Sequence, residues 1–186
     1  HPAPASSALL MCLFDHEGRV LAQWSQDLPA NLGSIVIDSA EVRKRFGLAE
    51  FAGSLFMHVT RVAGHDIVKY ALDTYGDDPQ VLSCTHDANS WPSEFYGGLP
   101  APQADEKVVM WIENSLPIPI PAGSVGLRKM GVDGDTRYLQ KEIPAFGTYG
   151  LDVAELQPAL RWPEQLEVCA GKYFVRPRYE IFKHQG

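Results

Sequence analysis

Cys84 and His86 stand two residues apart in the run Val81-Leu-Ser-Cys-Thr-His86. In an extended strand such positions share a face. A thiolate and an imidazole so placed suit two of the ligands of a soft or borderline metal ion. Asp87 follows at once, and His58, His65 and Asp66 come from the segment before. Strand pairing counted back through a turn near Tyr75 sets His86 opposite the region of Lys69. Pairing counted back through Gly64 brings His58 beside the same region. One reading is therefore a transition-metal site formed by His58, Cys84 and His86, in a metal-binding protein or metalloenzyme. No CxxC, HxxxH or HExxH spacing accompanies it. The plainer reading is a core thiol at Cys84 and a hydrogen-bonded histidine at the end of a strand.

Beyond His86 the chain reads as a long polar and aromatic loop over 87–105. Loops of about fifteen residues are uncommon in compact domains and often carry function. His86, Asp87, Asn89, Trp91, Glu94 and Tyr96 supply flat rings beside carboxylates and an amide. Sugars present apolar faces rimmed by hydroxyls, and that mixture of side chains complements them. The competing reading makes Trp91-Pro92 and Phe95 a plug at the edge of a sheet, with an Asx turn at Asp87 or Asn89. Asp87 and Glu94 could also form a glycosidase-like acid pair, but nothing in their surroundings marks a raised pKa on either.

Other motifs dissolve on inspection. Tyr75-Gly-Asp-Asp-Pro79 and Asp133-Gly-Asp135 are turn chemistry. The second lacks the closing glutamate of a calcium loop. Gly53-Ser54 and Gly123-Ser124 are not framed as a nucleophile elbow. No phosphate loop or dinucleotide fingerprint is present.

The elements that position these residues alternate with period two. Strands are expected over 9–14 and 19–25, joined by Asp15-His-Glu-Gly18, and over 33–37, 54–62, 66–73 and 81–85. Others follow over 106–113, 125–130, 136–142, 147–151, 165–169 and 173–182. Over 106–113, Val108, Met110 and Ile112 share one face while Val109 and Trp111 take the other. Pro117, Pro119 and Pro121 suit an extended edge. Helices are short: one opens at Asp38 with Glu41 three residues on and stops at Gly47, and one follows Asp152. The expected fold is all-β, an antiparallel β-sandwich.

An internal echo suggests two related lobes. Leu28-Pro-Ala-Asn-Leu-Gly-Ser-Ile-Val-Ile-Asp-Ser-Ala-Glu-Val42 parallels Ile143-Pro-Ala-Phe-Gly-Thr-Tyr-Gly-Leu-Asp-Val-Ala-Glu-Leu156 with one residue deleted. Each copy passes from a proline turn through a strand to an Asp-x-Ala-Glu helix start. The division expected is 8–122, carrying the 87–105 loop, and 123–186. The simpler alternative is that any strand-to-helix crossover selects Pro, Gly and Asp at these points.

At 186 residues the chain can bury a proper core, and its formal net charge is −7. That balance argues against binding nucleic acid or an anionic membrane. No apolar run approaches the roughly twenty residues of a membrane-spanning helix. Three dispersed cysteines, Cys12, Cys84 and Cys169, read as free thiols. Together with the lack of a recognisable signal peptide, they favour a reducing, cytoplasmic setting. His1 could chelate copper through its amine and ring, but a remnant of an affinity tag is the simpler expectation. The leading functional reading is a soluble, non-enzymatic recognition or assembly module that needs no cofactor. It would bind a carbohydrate or a protein through the 86–96 loop, with self-association left open.

Overall fold

The computed structural model describes residues 8–28, 34–60, 70–75, 82–87, 95–173 and 176–183, with backbone alone at 70, 75, 82–87, 95–96 and 176. The chain is mostly β. Its strands are β1 (Ala8–Asp15), β2 (Val20–Asp27), β3 (Gly53–Thr60), β4 (Tyr70–Tyr75), β5 (Leu82–Asp87), β6 (Phe95–Pro100), β7 (Glu106–Glu113), β8 (Gly126–Lys129), β9 (Arg137–Tyr138), β10 (Thr148–Asp152), β11 (Gln165–Cys169) and β12 (Arg176–Lys183). Two short helices, α1 (Ser39–Phe46) and α2 (Val153–Leu156), interrupt them. No helix among the described residues is long and apolar enough to cross a membrane.

The strands group as β2-β1-β3, β4-β5, β10-β7-β12 and β6-β11-β8-β9. The last three sheets have antiparallel registers. Two compact units emerge, one of His1–Met11, Trp24–Asp38 and Met57–Trp91, the other of Cys12–Gln23, Ser39–Phe56 and Pro92–Gly186.

In the first unit, β4 pairs with β5 so that Ala71 faces His86 and Asp73 faces Cys84. The pairing expected from the Tyr75 turn, with His86 near Lys69, is thus displaced by two residues. β3 joins β1 and β2 rather than β4, and Thr60 Oγ1 donates to the Ala8 carbonyl at 3.0 Å. The turn at Gly64 lies outside the described residues. A strand was expected over 33–37, yet residues 34–38 form none, and Val36 is 93% exposed. β-Branched residues favour strands only where a neighbouring strand and a packed face support them.

The second unit holds the main core. Val108, Met110 and Ile112 of β7 are buried as their alternation implied. They cluster with Leu151 and Val153, with Leu127 of β8, and with Leu166 and Val168 of β11. Burying each such side chain contributes about 1.5–3 kcal/mol before the entropy of ordering the chain is set against it. Ile120 and Ile143 close the cluster through a β-bridge between the segments that carry them. Asn114, 1% exposed, ties the same segments together: its Nδ2 donates to Ile118 O at 2.9 Å and Pro144 O at 2.7 Å, and its Oδ1 accepts from Leu116 N at 3.0 Å.

The hairpin turn at 15–19 is organised by one carboxylate. Asp15 Oδ1 accepts from the Glu17 and Arg19 amides, each at 2.9 Å, and Oδ2 accepts from Arg19 Nε at 2.7 Å. Burial pushes the Asp15 carboxyl upward, but the Arg19 amide, the Arg19 guanidinium and the Glu17 amide together hold it below the usual carboxylate range. Gly18 has φ of 78°, and a Cβ there would fall 1.9 Å from the Ala145 carbonyl oxygen. Only glycine permits both the left-handed backbone and that approach. Next to it, Phe146 holds a positive φ of 58°, with its ring stacked on Phe14 at 4.9 Å and edge-on to Phe56 at 5.7 Å. Aromatic packing on two sides offsets the strain of that backbone.

Both helices end as their sequences indicate. Leu48 N donates to Arg43 O at 2.9 Å, with Gly47 at φ 64° closing α1. Asp152 accepts from Ala154 N at 2.9 Å and caps α2.

Candidate functional site

The loop expected over 87–105 is not continuous. β6 occupies Phe95–Pro100 and pairs with β11, setting Tyr96 opposite Val168 and Phe95 opposite Cys169. Tyr96 therefore belongs to a strand rather than to a loop. Asn89, Trp91 and Glu94 lie outside the described residues. His86 and Asp87 end β5, opposite Ala71 and Tyr70. Of the expected metal ligands, His58 is exposed on β3, while Cys84 and His86 occupy β5 in a different sheet. No group of three or more His, Cys, Asp or Glu side chains poised for a metal occurs among the described residues. Cys12 and Cys169 are free thiols, and burial pushes the Cys169 thiol upward.

A second region emerges within the second unit, on the outward side of β7. Its register sets Thr148 of β10 opposite Glu113, Gly150 opposite Trp111, and Arg178 of β12 opposite Trp111 from the other side. Trp111, Glu113, Thr148 and Arg178, with Phe51 just before β3 and Ser54 at its start, line a cleft of about 400 Å³. The volume falls within the range of about 300–1,000 Å³ usual for small-ligand sites.

Trp111 and the Ser54–Thr148 pair each have an identifiable support. Trp111 projects from β7 on the face opposite Met110, so the alternation that buries Met110 turns the indole outward. Its Nε1 donates to Glu180 Oε2 at 2.8 Å. A Cβ added to Gly150 would lie 3.0 Å from Cζ3 and 3.2 Å from Cη2 of the ring, so the six-membered ring packs closely against Gly150. One hydrogen bond and one glycine therefore fix the plane of the indole. Ser54, 8% exposed, shares a 2.7 Å hydrogen bond with Thr148 Oγ1. Two hydroxyls so paired use one hydrogen between them and keep the other for donation elsewhere. Gly53 permits this placement, since a Cβ there would sit 2.0 Å from the Phe14 carbonyl oxygen. Glu113 and Arg178 add charges of opposite sign.

Trp111 was legible as lying on the face of β7 opposite Val108, Met110 and Ile112, but its partners were not. They come from strands separated by dozens of residues, and only the long-range pairing brings them together. The signal present in sequence was a tryptophan on the polar face of an otherwise regular alternating strand.

The fold and this site define a mostly β protein with an aromatic and polar cleft on the outer side of a three-stranded antiparallel sheet. Neither models of known protein families, nor curated protein sequences, nor solved structures give a match to the chain.

Proposed function

We propose that the chain is a non-enzymatic recognition or assembly module, built as a β-sandwich, that binds a carbohydrate or protein partner. The observation that carries this reading is the cleft beside Trp111: an aromatic plane already held in place, with hydroxyls and both signs of charge around it. Preformed apolar area ringed by a few directed polar groups is how small-ligand and partner sites gain both affinity and orientation. Sandwich architecture is supported by the common core to which β7 and β10 on one side, and β8 and β11 on the other, contribute. Duplication of two lobes draws on the echo between 28–42 and 143–156, with Asp152 capping α2 and Asp38 directly preceding α1. The segment 86–96 is a second contact surface in this reading, through His86, Asp87, Asn89, Trp91, Glu94 and Tyr96.

Substitution separates contact from plug. Trp111→Ala and Trp91→Ala should each weaken capture of the partner while leaving the thermal midpoint within a few degrees. Unfolding by either substitution would show that the ring is structural and remove that surface from the proposal.

A further inference from the structure

The geometry points to a neutral saccharide as the ligand of the Trp111 cleft, with one pyranose ring laid on the indole. This rests on the recognition-module reading and names the chemical class that its site accepts.

Charge narrows the choice first. Glu113 and Arg178 line the same cleft and carry opposite charges. An anionic ligand drawn to Arg178 meets the Glu113 carboxylate, and a cationic one drawn to Glu113 meets the guanidinium. Opposed charges lining one cleft disfavour charged ligands of either sign, because the unfavourable member of each pair offsets the favourable one. A neutral ligand carrying both donors and acceptors escapes that penalty. It can accept from Arg178 and donate to Glu113 at the same time.

Shape narrows it further. The six-membered ring of the indole packs against Gly150, and the indole is tethered at Nε1 by Glu180. The ring therefore serves as a platform whose plane is set before binding, and little orientational entropy remains to be lost. Because Nε1 is already engaged, what the platform offers is its π surface and not a hydrogen-bond donor. A pyranose has a matching apolar C–H face, with its hydroxyls directed sideways into the rim. There the Ser54–Thr148 hydroxyl pair, with one hydrogen shared at 2.7 Å, can both donate and accept. Phe51, a lining residue that is 36% exposed, adds apolar area to that of the indole and suits an oligosaccharide more than a single sugar.

The test is a titration of the intact, isotope-labelled chain with four neutral tetrasaccharides (cellotetraose, xylotetraose, maltotetraose and fully N-acetylated chitotetraose) and with trigalacturonate as the anionic comparison. The readout is the indole N–H signal of Trp111, assigned by its disappearance in Trp111→Phe. The inference expects at least one neutral tetrasaccharide to shift that signal saturably by about 10 mM, and the anionic sugar to bind more weakly. Glu113→Gln and Thr148→Val should each weaken the binding about tenfold, with the thermal midpoint showing that both variants fold. Absence of a shift with all four neutral sugars, or tighter binding of the anionic one, would overturn it. Sedimentation of the same variants keeps the two levels apart. If no sugar binds but Trp111→Ala abolishes self-association, the saccharide is wrong and the module reading stands. If Trp111→Ala changes neither sugar binding nor self-association, both fail at this cleft.

Discussion

Trp111 Nε1 donates to Glu180 Oε2 at 2.8 Å across the β7–β12 pair, two residues along β12 from Arg178, which stands directly opposite. The diagonal bond anchors the nitrogen edge of the indole to β12, while its six-membered ring packs against Gly150 of β10, where there is no side chain to displace it. Tryptophan is among the most effective contact residues when its plane is fixed in advance.

Gly150→Ala should therefore lift the ring. A methyl group 3.0 Å from Cζ3 is too close for both to keep their places. The expected outcome is a moved Trp111 indole N–H signal in nitrogen–proton spectra. Stability should fall by about 1 kcal/mol, since the ring can swing outward rather than force the core apart.

Asp15 governs acid stability in the hairpin. Its carboxyl titrates below the usual range in the folded chain, so the unfolded chain takes up its proton first as pH falls. The stabilisation is complete above about pH 4, the unfolded value, and is lost as pH drops through the lower folded value. Asp15→Asn should cost about 2 kcal/mol at neutral pH, by weakening bonds to two amides and to Arg19. It should also flatten the acid limb of a plot of thermal midpoint against pH.

Tyr179 behaves in the opposite sense. Its hydroxyl is buried with no hydrogen-bond partner among the described residues, and burial pushes the phenol upward. Ionisation in the unfolded chain near pH 10 precedes ionisation in the folded one, so stability declines as pH rises beyond that point. Tyr179→Phe should remove the decline and leave neutral-pH stability unchanged or raised by about 1 kcal/mol, as read by urea midpoints.

Much of the second unit could be read from sequence because its strands are half-buried and alternate. β7 shows this best, with Val108, Met110 and Ile112 inward and Trp111 outward. β6 escaped because Phe95-Tyr-Gly-Gly-Leu-Pro100 carries two glycines and a proline, which mark loops when read locally. In the structure, Gly98 takes φ of 79° and β11 shifts register between Leu166 and Val168, so the strand pairs despite its composition. The reverse error fell on the strand expected over 33–37, where β-branched residues alone suggested one and residues 34–38 form none. Asn114 gave no local sign of its role, since its partners lie at Leu116, Ile118 and Pro144 and depend on the Ile120–Ile143 bridge. The cleft was illegible for the same reason: β3, β7, β10 and β12 meet only through long-range pairing.

Elemental analysis of tag-free protein addresses the metal alternative at His58, Cys84 and His86. The recognition reading expects metal well below one equivalent, unchanged by Cys84→Ala or His86→Ala. A stoichiometric transition metal lost on either substitution would replace that reading with a metalloprotein.

A crystal structure of the chain grown with the tightest-binding of the neutral tetrasaccharides bears most directly on the cleft. A pyranose ring should lie over Trp111 at van der Waals distance, about 4 Å, with hydroxyls reaching Glu113, Arg178 and the Ser54–Thr148 pair. Density for the sugar elsewhere on the chain, with the indole of Trp111 uncovered, would contradict the assignment.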